Sequence, residues 1–195
     1  YLPMYKIRQD KNKEFCKFIS QQTPIGGISS DLIKYLCRKY HILIFSGIIR
    51  DFFLSKDHEY MSANKLKKLK IHDIDIVYMD TVSGIKNDEY LKGLFKDNNI
   101  IFKRRNNFGG MKFDMLGFEI DAWPMDKTSG ILISGKFPSV DSLINTTFFN
   151  FSNIIYDVFY GEFYYGEYWE RFLSNKTIDI IYDNIPDSRI KILFI

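Results

Sequence analysis

The chain has 195 residues, 46% of them hydrophobic and 17% aromatic, with 18 Phe and 13 Tyr against a formal net charge of only +3. That is about one domain's length with ample material for a packed core, and too apolar a composition for a disordered protein. No run of about 18 apolar residues occurs, so no membrane-spanning helix is expected, and so small a charge does not by itself mark a nucleic-acid binder. Tyr1-Leu2-Pro3-Met4-Tyr5 lacks the apolar stretch of a secretion signal, and without an initiator Met there is room for residues upstream. Cys16 and Cys37 have no metal-type spacing, so free thiols in a reducing cytoplasm are expected. The charge is nevertheless uneven, with basic clusters at Lys65, Lys67, Lys68 and Lys70 and at Lys103-Arg104-Arg105.

Residues 10–22 carry Phe15 and Ile19 on one stripe and predict an amphipathic helix, which Thr23-Pro24-Ile25-Gly26-Gly27 breaks. Ser29-Ser30-Asp31 is an N-cap cluster for a second helix to about residue 38. Residues 40–45 predict a short buried strand ending at Ser46-Gly47, and 48–54 begin a helix. Residues 55–70 are polar and predict a loop or a short surface helix. An alternating strand over 71–77 follows, closed by Asp80 and Ser83-Gly84. A helix over 87–97, a strand over 98–105 and a turn over 106–110 come next. Residues 111–114 and 118–123 predict an antiparallel pair around Leu116-Gly117, stopped by Pro124. Beyond Ile131 the pattern predicts a helix over 142–147, a hairpin of 148–159 with 162–165, and a short helix over 167–173. Residues 178–182 are apolar again. Interleaved strands and helices with an antiparallel pair make the class α+β, with a mixed sheet.

The chemistry centres on Asp73-Ile74-Asp75. In a strand, residues i and i+2 share a face, so the two carboxylates project together while Ile74 and Ile76 face the core. Adjacent carboxylates repel and aspartate is depleted in strands, so a positive group belongs between them, best a divalent metal. A calcium loop is excluded, because Val77, Tyr78 and Gly84 stand where its fifth, sixth and twelfth positions need Asp/Asn, Gly and Glu. Two companions flank the pair. Phe45-Ser46-Gly47-Ile48-Ile49-Arg50-Asp51 is a strand-turn-helix whose backbone N–H groups suit phosphates. On 117–123, alternation puts Glu119, Asp121 and Trp123 on one face. Phosphoryl transfer needs such a turn, one or two Mg²⁺ ions on hard oxygen ligands, and a third carboxylate near the nucleophile.

Over residues 40–125 this pattern resembles the nucleotidyltransferase superfamily of DNA polymerase β. Gly47-x-x-Arg50-Asp51 followed by Asp73-Ile74-Asp75 is most similar to the head domain of tRNA CCA-adding enzymes and bacterial poly(A) polymerases. The resemblance implies a mixed-sheet polymerase β-like fold with flanking helices and a C-terminal hairpin and helical segment. Residues 1–130 would be the catalytic domain with its N-terminal helices, and 131–195 an appendage packed on it. It implies Asp73, Asp75 and Asp121 as catalytic residues and ligands of Mg²⁺ or Mn²⁺, and Ser46, Gly47 and Arg50 as the triphosphate-binding set. The implied activity is transfer of a nucleoside monophosphate from an NTP, with ATP the expected nucleotide, to an acceptor hydroxyl. An RNA 3′ end is favoured as acceptor, with a small molecule or a protein as alternatives. Ser46 stands where the family usually has glycine, which leaves a catalytically silent nucleotide-binding or sensing module as the other reading.

Other residues have blander expectations. Asp51 is expected as a helix-terminal charge or salt-bridge partner, Glu119 as solvent-exposed, and His72 as pointing away from the aspartates. The 65–70 lysines are expected on a solvated face, and Asn107, Gly109, Gly110 and Lys112 in an ordinary hairpin bend. The Phe/Tyr-rich stretch 148–168 is expected to be packed core rather than a base-stacking platform.

Overall fold

The computed structural model describes residues 5–22, 42–45, 47–65, 71, 73–78, 88–97, 100–106, 110–115 and 117–182. Several expectations therefore lie outside the described residues: the helix to residue 38, Cys37, Ser46, the lysines beyond Lys65, His72, Asp80, Asn107 and Gly109.

Among the described residues eight strands form one mixed sheet in the order β1-β8-β7-β2-β3-β6-β5-β4. They are β1 (Lys6–Arg8), β2 (Ile42–Phe45), β3 (Asp73–Tyr78), β4 (Ile101–Arg105), β5 (Met111–Met115), β6 (Phe118–Pro124), β7 (Ile154–Asp157) and β8 (Glu162–Tyr165). Only β3 and β6 pair in parallel. A parallel pair needs a long crossover, which α4 (Asp88–Asp97) with β4 and β5 supplies.

Alternation along the strands builds two cores. Ile42 and Ile44, Ile74 and Ile76, Ile120 and Ala122, and Tyr156 and Phe163 face one side. There they meet α1 (Asn12–Gln22), α2 (Gly47–Ser55), α4 and α7 (Glu167–Asn175) through Phe15, Phe52, Phe95 and Trp169. Aromatic edges organise this layer: Phe15 lies 5.2 Å from Phe52 and 4.7 Å from Tyr156 between ring centroids. The opposite face holds Leu43, Val77, Ile155 and Tyr164 under α5 (Ser129–Ser134) and α6 (Val140–Asn145), whose Ile131, Leu143 and Ile144 pack on them.

The polar stretch after α2 contains α3 (His58–Ala63), started by Asp57, whose carboxylate accepts from Tyr60 N at 2.9 Å. Lys176 reaches Asp57 at 2.8 Å and ties the end of α7 to it. Two elements went unpredicted, β1, which pairs with β8, and α5. The hairpin arm expected over 148–159 shortens to β7. Asn150 explains why: its backbone N–H donates to Asp179 O and its Nδ2 to Thr177 O, which turns residues 150–152 into a 3₁₀ turn. The segment expected as an appendage extends the same sheet, since β7 pairs with β2. The Phe/Tyr stretch is mostly core, as expected; Phe159 and Tyr160 at the β7–β8 tip are exposed. Among the described residues no helix is long and apolar enough to cross a membrane.

The segment between β6 and β7 is pinned by a close approach. A Cβ on Gly130 would sit 2.0 Å from the Thr146 backbone oxygen. Gly130→Ala must therefore separate α5 from α6, and overpacking of this kind costs roughly 1–3 kcal/mol. The expected result is a lower urea midpoint with an unchanged slope.

Candidate active site

The register places the predicted residues in one row across the sheet. Phe45 of β2 pairs with Asp75 of β3, Asp75 with Asp121 of β6, and Asp121 with Lys112 of β5. Directly paired residues share a face, so the four side chains rise together above the second core. Asp73 pairs with Glu119 one row outward, and both are exposed, as expected for Glu119. Next inward, Val77 pairs with Trp123.

The row is electrostatically uneven. Lys112 Nζ lies 3.0 Å from Asp121 Oδ2 and 3.3 Å from Glu119 Oε2. The hydrogen bond to Asp121 is the main cause holding the ammonium above the usual lysine range. Asp121 Oδ1 is buried with no hydrogen-bond partner among the described residues. Asp75 fares worse: withdrawal from water, then the charges of Asp73 and Asp121, push its carboxyl up to about 7, against smaller opposing effects from Lys112 and Arg50.

Of the residues expected in the phosphate turn, Gly47 and Arg50 are described. α2 begins at Gly47, two residues after Phe45, and among the described residues nothing lies within 4 Å of the place a Gly47 Cβ would take. Arg50, one turn into α2, is half-buried, bonds Asp51 through Nε at 2.7 Å, and holds its guanidinium 5.3 Å from the Phe151 ring centre. Asp51 is thus a salt-bridge partner, as expected.

The donor set fits a hard divalent cation. Three carboxylates share one face, one oxygen has no hydrogen-bond partner among the described residues, and the Asp75 carboxyl is pushed up to about 7 by withdrawal from water and by its two acidic neighbours. Among the described residues no three acidic, His or Cys side chains converge into a ready-made ion site. A cation held by all three carboxylates would share Asp121 with Lys112, which already lies 3.0 Å from it.

No protein-family model matches the sequence, and no curated protein matches it. Solved structures do. A tRNA nucleotidyltransferase crystallised with a primer tRNA and an incoming ATP analogue superposes with TM-score 0.51 at 17% identity, over 82% of this chain and 40% of that one. A tRNA-processing enzyme in an apo form gives 0.53 at 16% identity, over 83% and 41%. Another with CTP gives 0.50 at 16% identity, over 82% and 37%. The fold is a nucleotidyltransferase fold. At these identities the likeness concerns the fold alone, and the chain spans about two fifths of the length of those proteins.

Within the nucleotidyltransferase fold, the sequence reading missed the role of Lys112, taken there as part of a bend. The signal was present: a tight turn pairing Met115 with Phe118 necessarily sets Lys112 opposite Asp121. The reading also missed residues 127–130 and 146–149, which line a cavity beside the row and carry no motif.

Two measurements test these electrostatics without any ligand. In the unfolded chain Asp75 loses its proton near 3.8, and in the folded chain only near 7. In chelator, stability should therefore fall as pH rises from about 4 to about 7 and then level, and Asp75→Asn should remove that part of the slope. For the ion pair, Lys112→Met strands a half-buried carboxylate and should cost roughly 1–3 kcal/mol. Adding Asp121→Asn should recover part of that loss in a double-mutant cycle read by urea unfolding.

Proposed function

We propose that the protein is a nucleotidyltransferase that moves a nucleoside monophosphate from an NTP, with ATP as the expected donor, to an acceptor hydroxyl and releases pyrophosphate. The observation that carries this reading is the row Asp75-Asp121-Lys112 beside the N-terminus of α2. Its carboxylates crowd around Asp75, with Lys112 engaged by Asp121, next to backbone N–H groups suited to phosphates.

In this reading Asp73, Asp75 and Asp121 would hold Mg²⁺ or Mn²⁺, which when bound offsets phosphate charge and eases loss of the acceptor's proton. Gly47 offers its N–H at the start of α2, and Arg50 adds positive charge one turn further, so the triphosphate is positioned before any bond changes. Ser46 completes the turn with a hydroxyl able to donate to a phosphate oxygen. The acceptor oxygen attacks the α-phosphorus, the bond to the β-phosphate oxygen breaks, and the hydroxyl proton passes to the Asp121 carboxylate. An RNA 3′ end is the proposed acceptor, in line with the tRNA nucleotidyltransferases that share the fold. Residues 1–130 supply the catalytic row in this reading, and β7 and β8 complete the same sheet between β1 and β2. A reducing, cytoplasmic setting accords with Cys16 being a free thiol.

One observation favours the second reading, a silent nucleotide-binding module on the same fold: the third carboxylate already has an ammonium partner at 3.0 Å. Incubation with four α-labelled NTPs, Mg²⁺ or Mn²⁺, cellular RNA and protein extract separates the two. Label should move to RNA in wild type, and Asp75→Ala should lower the rate by on the order of 10²–10³-fold or more. Label on a small molecule or a protein would reassign the acceptor. No transfer, with MgNTP still raising the melting temperature, would favour the silent module.

A further inference from the structure

The register that sets Asp121 beside Asp75 also sets Lys112 beside Asp121. Its Nζ lies 3.0 Å from Asp121 Oδ2 and 3.3 Å from Glu119 Oε2, so two carboxylates hold one ammonium. This is not an ordinary surface pair. The Lys112 side chain is 23% exposed and that of Asp121 16%, against 59% and 46% in the Lys6–Glu170 pair. Exposed pairs contribute little because water and salt screen them, and screening weakens as the charges are covered. Arg104 of β4, paired with Lys112 one strand further out, is exposed. Of these two cations, Lys112 is the one kept at the acids. Its charge also acts on Asp75, where it counters the repulsion from Asp73 and Asp121.

An ammonium and a divalent cation compete for the same thing, a carboxylate oxygen. Lys112 engages Asp121 Oδ2, which leaves that carboxylate with Oδ1, buried and without a hydrogen-bond partner among the described residues. Two metal ions sharing one carboxylate set lie about 3.5–4 Å apart, and each needs its own hard oxygens. The row has little to spare for a second. Charge leads to the same count. Asp73, Asp75 and Asp121 bear three negative charges when ionised, which one divalent cation and Lys112 match. A second divalent ion at Asp121 would approach an ammonium that is 3.0 Å from the same carboxylate, and like charges so near oppose each other.

The ammonium also has something to offer a substrate. Two of its three N–H donors serve Asp121 and Glu119, which leaves one for an incoming oxygen. Lys112 thus combines a fixed positive charge at the third carboxylate with a donor for a reacting oxygen. Those are the two things that a second metal ion supplies.

We propose that Lys112 takes the place of a second metal ion, so that the row holds one divalent cation rather than two. The proposal rests on the nucleotidyltransferase reading above and adds to it the source of the other positive charge. In this arrangement the remaining N–H of Lys112 serves the acceptor oxygen as negative charge develops there.

The test counts protein-bound Mn²⁺ by equilibrium dialysis and reads its EPR spectrum, with Mn²⁺ alone and with equimolar α,β-methylene-ATP, which cannot release pyrophosphate. Two Mn²⁺ ions about 3.5–4 Å apart are spin-coupled and a lone ion is not, so count and spectrum report independently. Wild type should saturate at one Mn²⁺ with an uncoupled spectrum. Lys112→Met, which keeps the length and removes the charge, should take up a second Mn²⁺ and show coupling. Its melting temperature should also rise more with Mn²⁺ than that of wild type. Adding Asp121→Asn should return the count to one. Two coupled ions in wild type overturn the role of Lys112 and leave the nucleotidyltransferase reading standing. A folded Lys112→Met protein that still holds one ion does the same, as does a double variant that keeps two. If Lys112→Met melts before it can be titrated, the wild-type count decides. No Mn²⁺ bound by any of the proteins, with or without the analogue, overturns the metal-dependent reading together with this proposal.

Discussion

The structure is arranged around a repulsion. β3 and β6 run in parallel and in register, so Asp75 and Asp121 sit as direct neighbours on one face, with Asp73 one position along. Neighbouring strands are about 4.8 Å apart, close enough for each carboxylate to oppose ionisation of the next. A sequence chosen for stability alone would put Val, Ile or Thr there, as it does on the opposite face with Ile74, Ile76 and Ile120. The fold bears the cost through the apolar layer beneath the row, where the same two strands pack in one cluster with α1, α2 and α4.

That layer explains why the row holds its register. A one-residue slip of β3 would bury Asp73 and Asp75 among Phe15, Phe52 and Phe95, and would expose Ile74 and Ile76. The alternation that places the acids thus also fixes where they can be. Across this row the sheet sets Lys112 against Asp121 rather than Asp75, with Arg104 of β4 paired one strand further out. The charge deficit is left at Asp75, between the α2 terminus and the cavity.

The acidic row was legible in sequence because it depends on short-range rules. A period of two gives shared faces, and a tight turn gives the β5–β6 register. A strand running into a helix likewise sets Gly47 and Arg50 near the end of β2. What was not legible is long-range. Nothing local in Lys6-Ile7-Arg8 shows that it will pair with β8, because an edge strand needs only a partner. Residues 129–134 form a single turn or two of helix, held by contact with Thr146 rather than by a strong apolar period. The misjudged arm over 148–159 has the same origin: Asn150 bonds the backbone around 177–179, some 27 residues away.

The same distinction bears on how the site is divided. The residues proposed to carry chemistry lie on strands and a helix start, where local pattern fixes them. The cavity walls come from a connection whose shape is set by tertiary contacts. Trp123 joins the two parts. It lies two residues beyond Asp121 on β6, shares its face, and is held by Thr128 of the connection that follows β6. The Phe45–Trp123 pair and the acidic row thus lie on one sheet face, and the connection from β6 to β7 packs on that face through Ile131, Leu143 and Ile144.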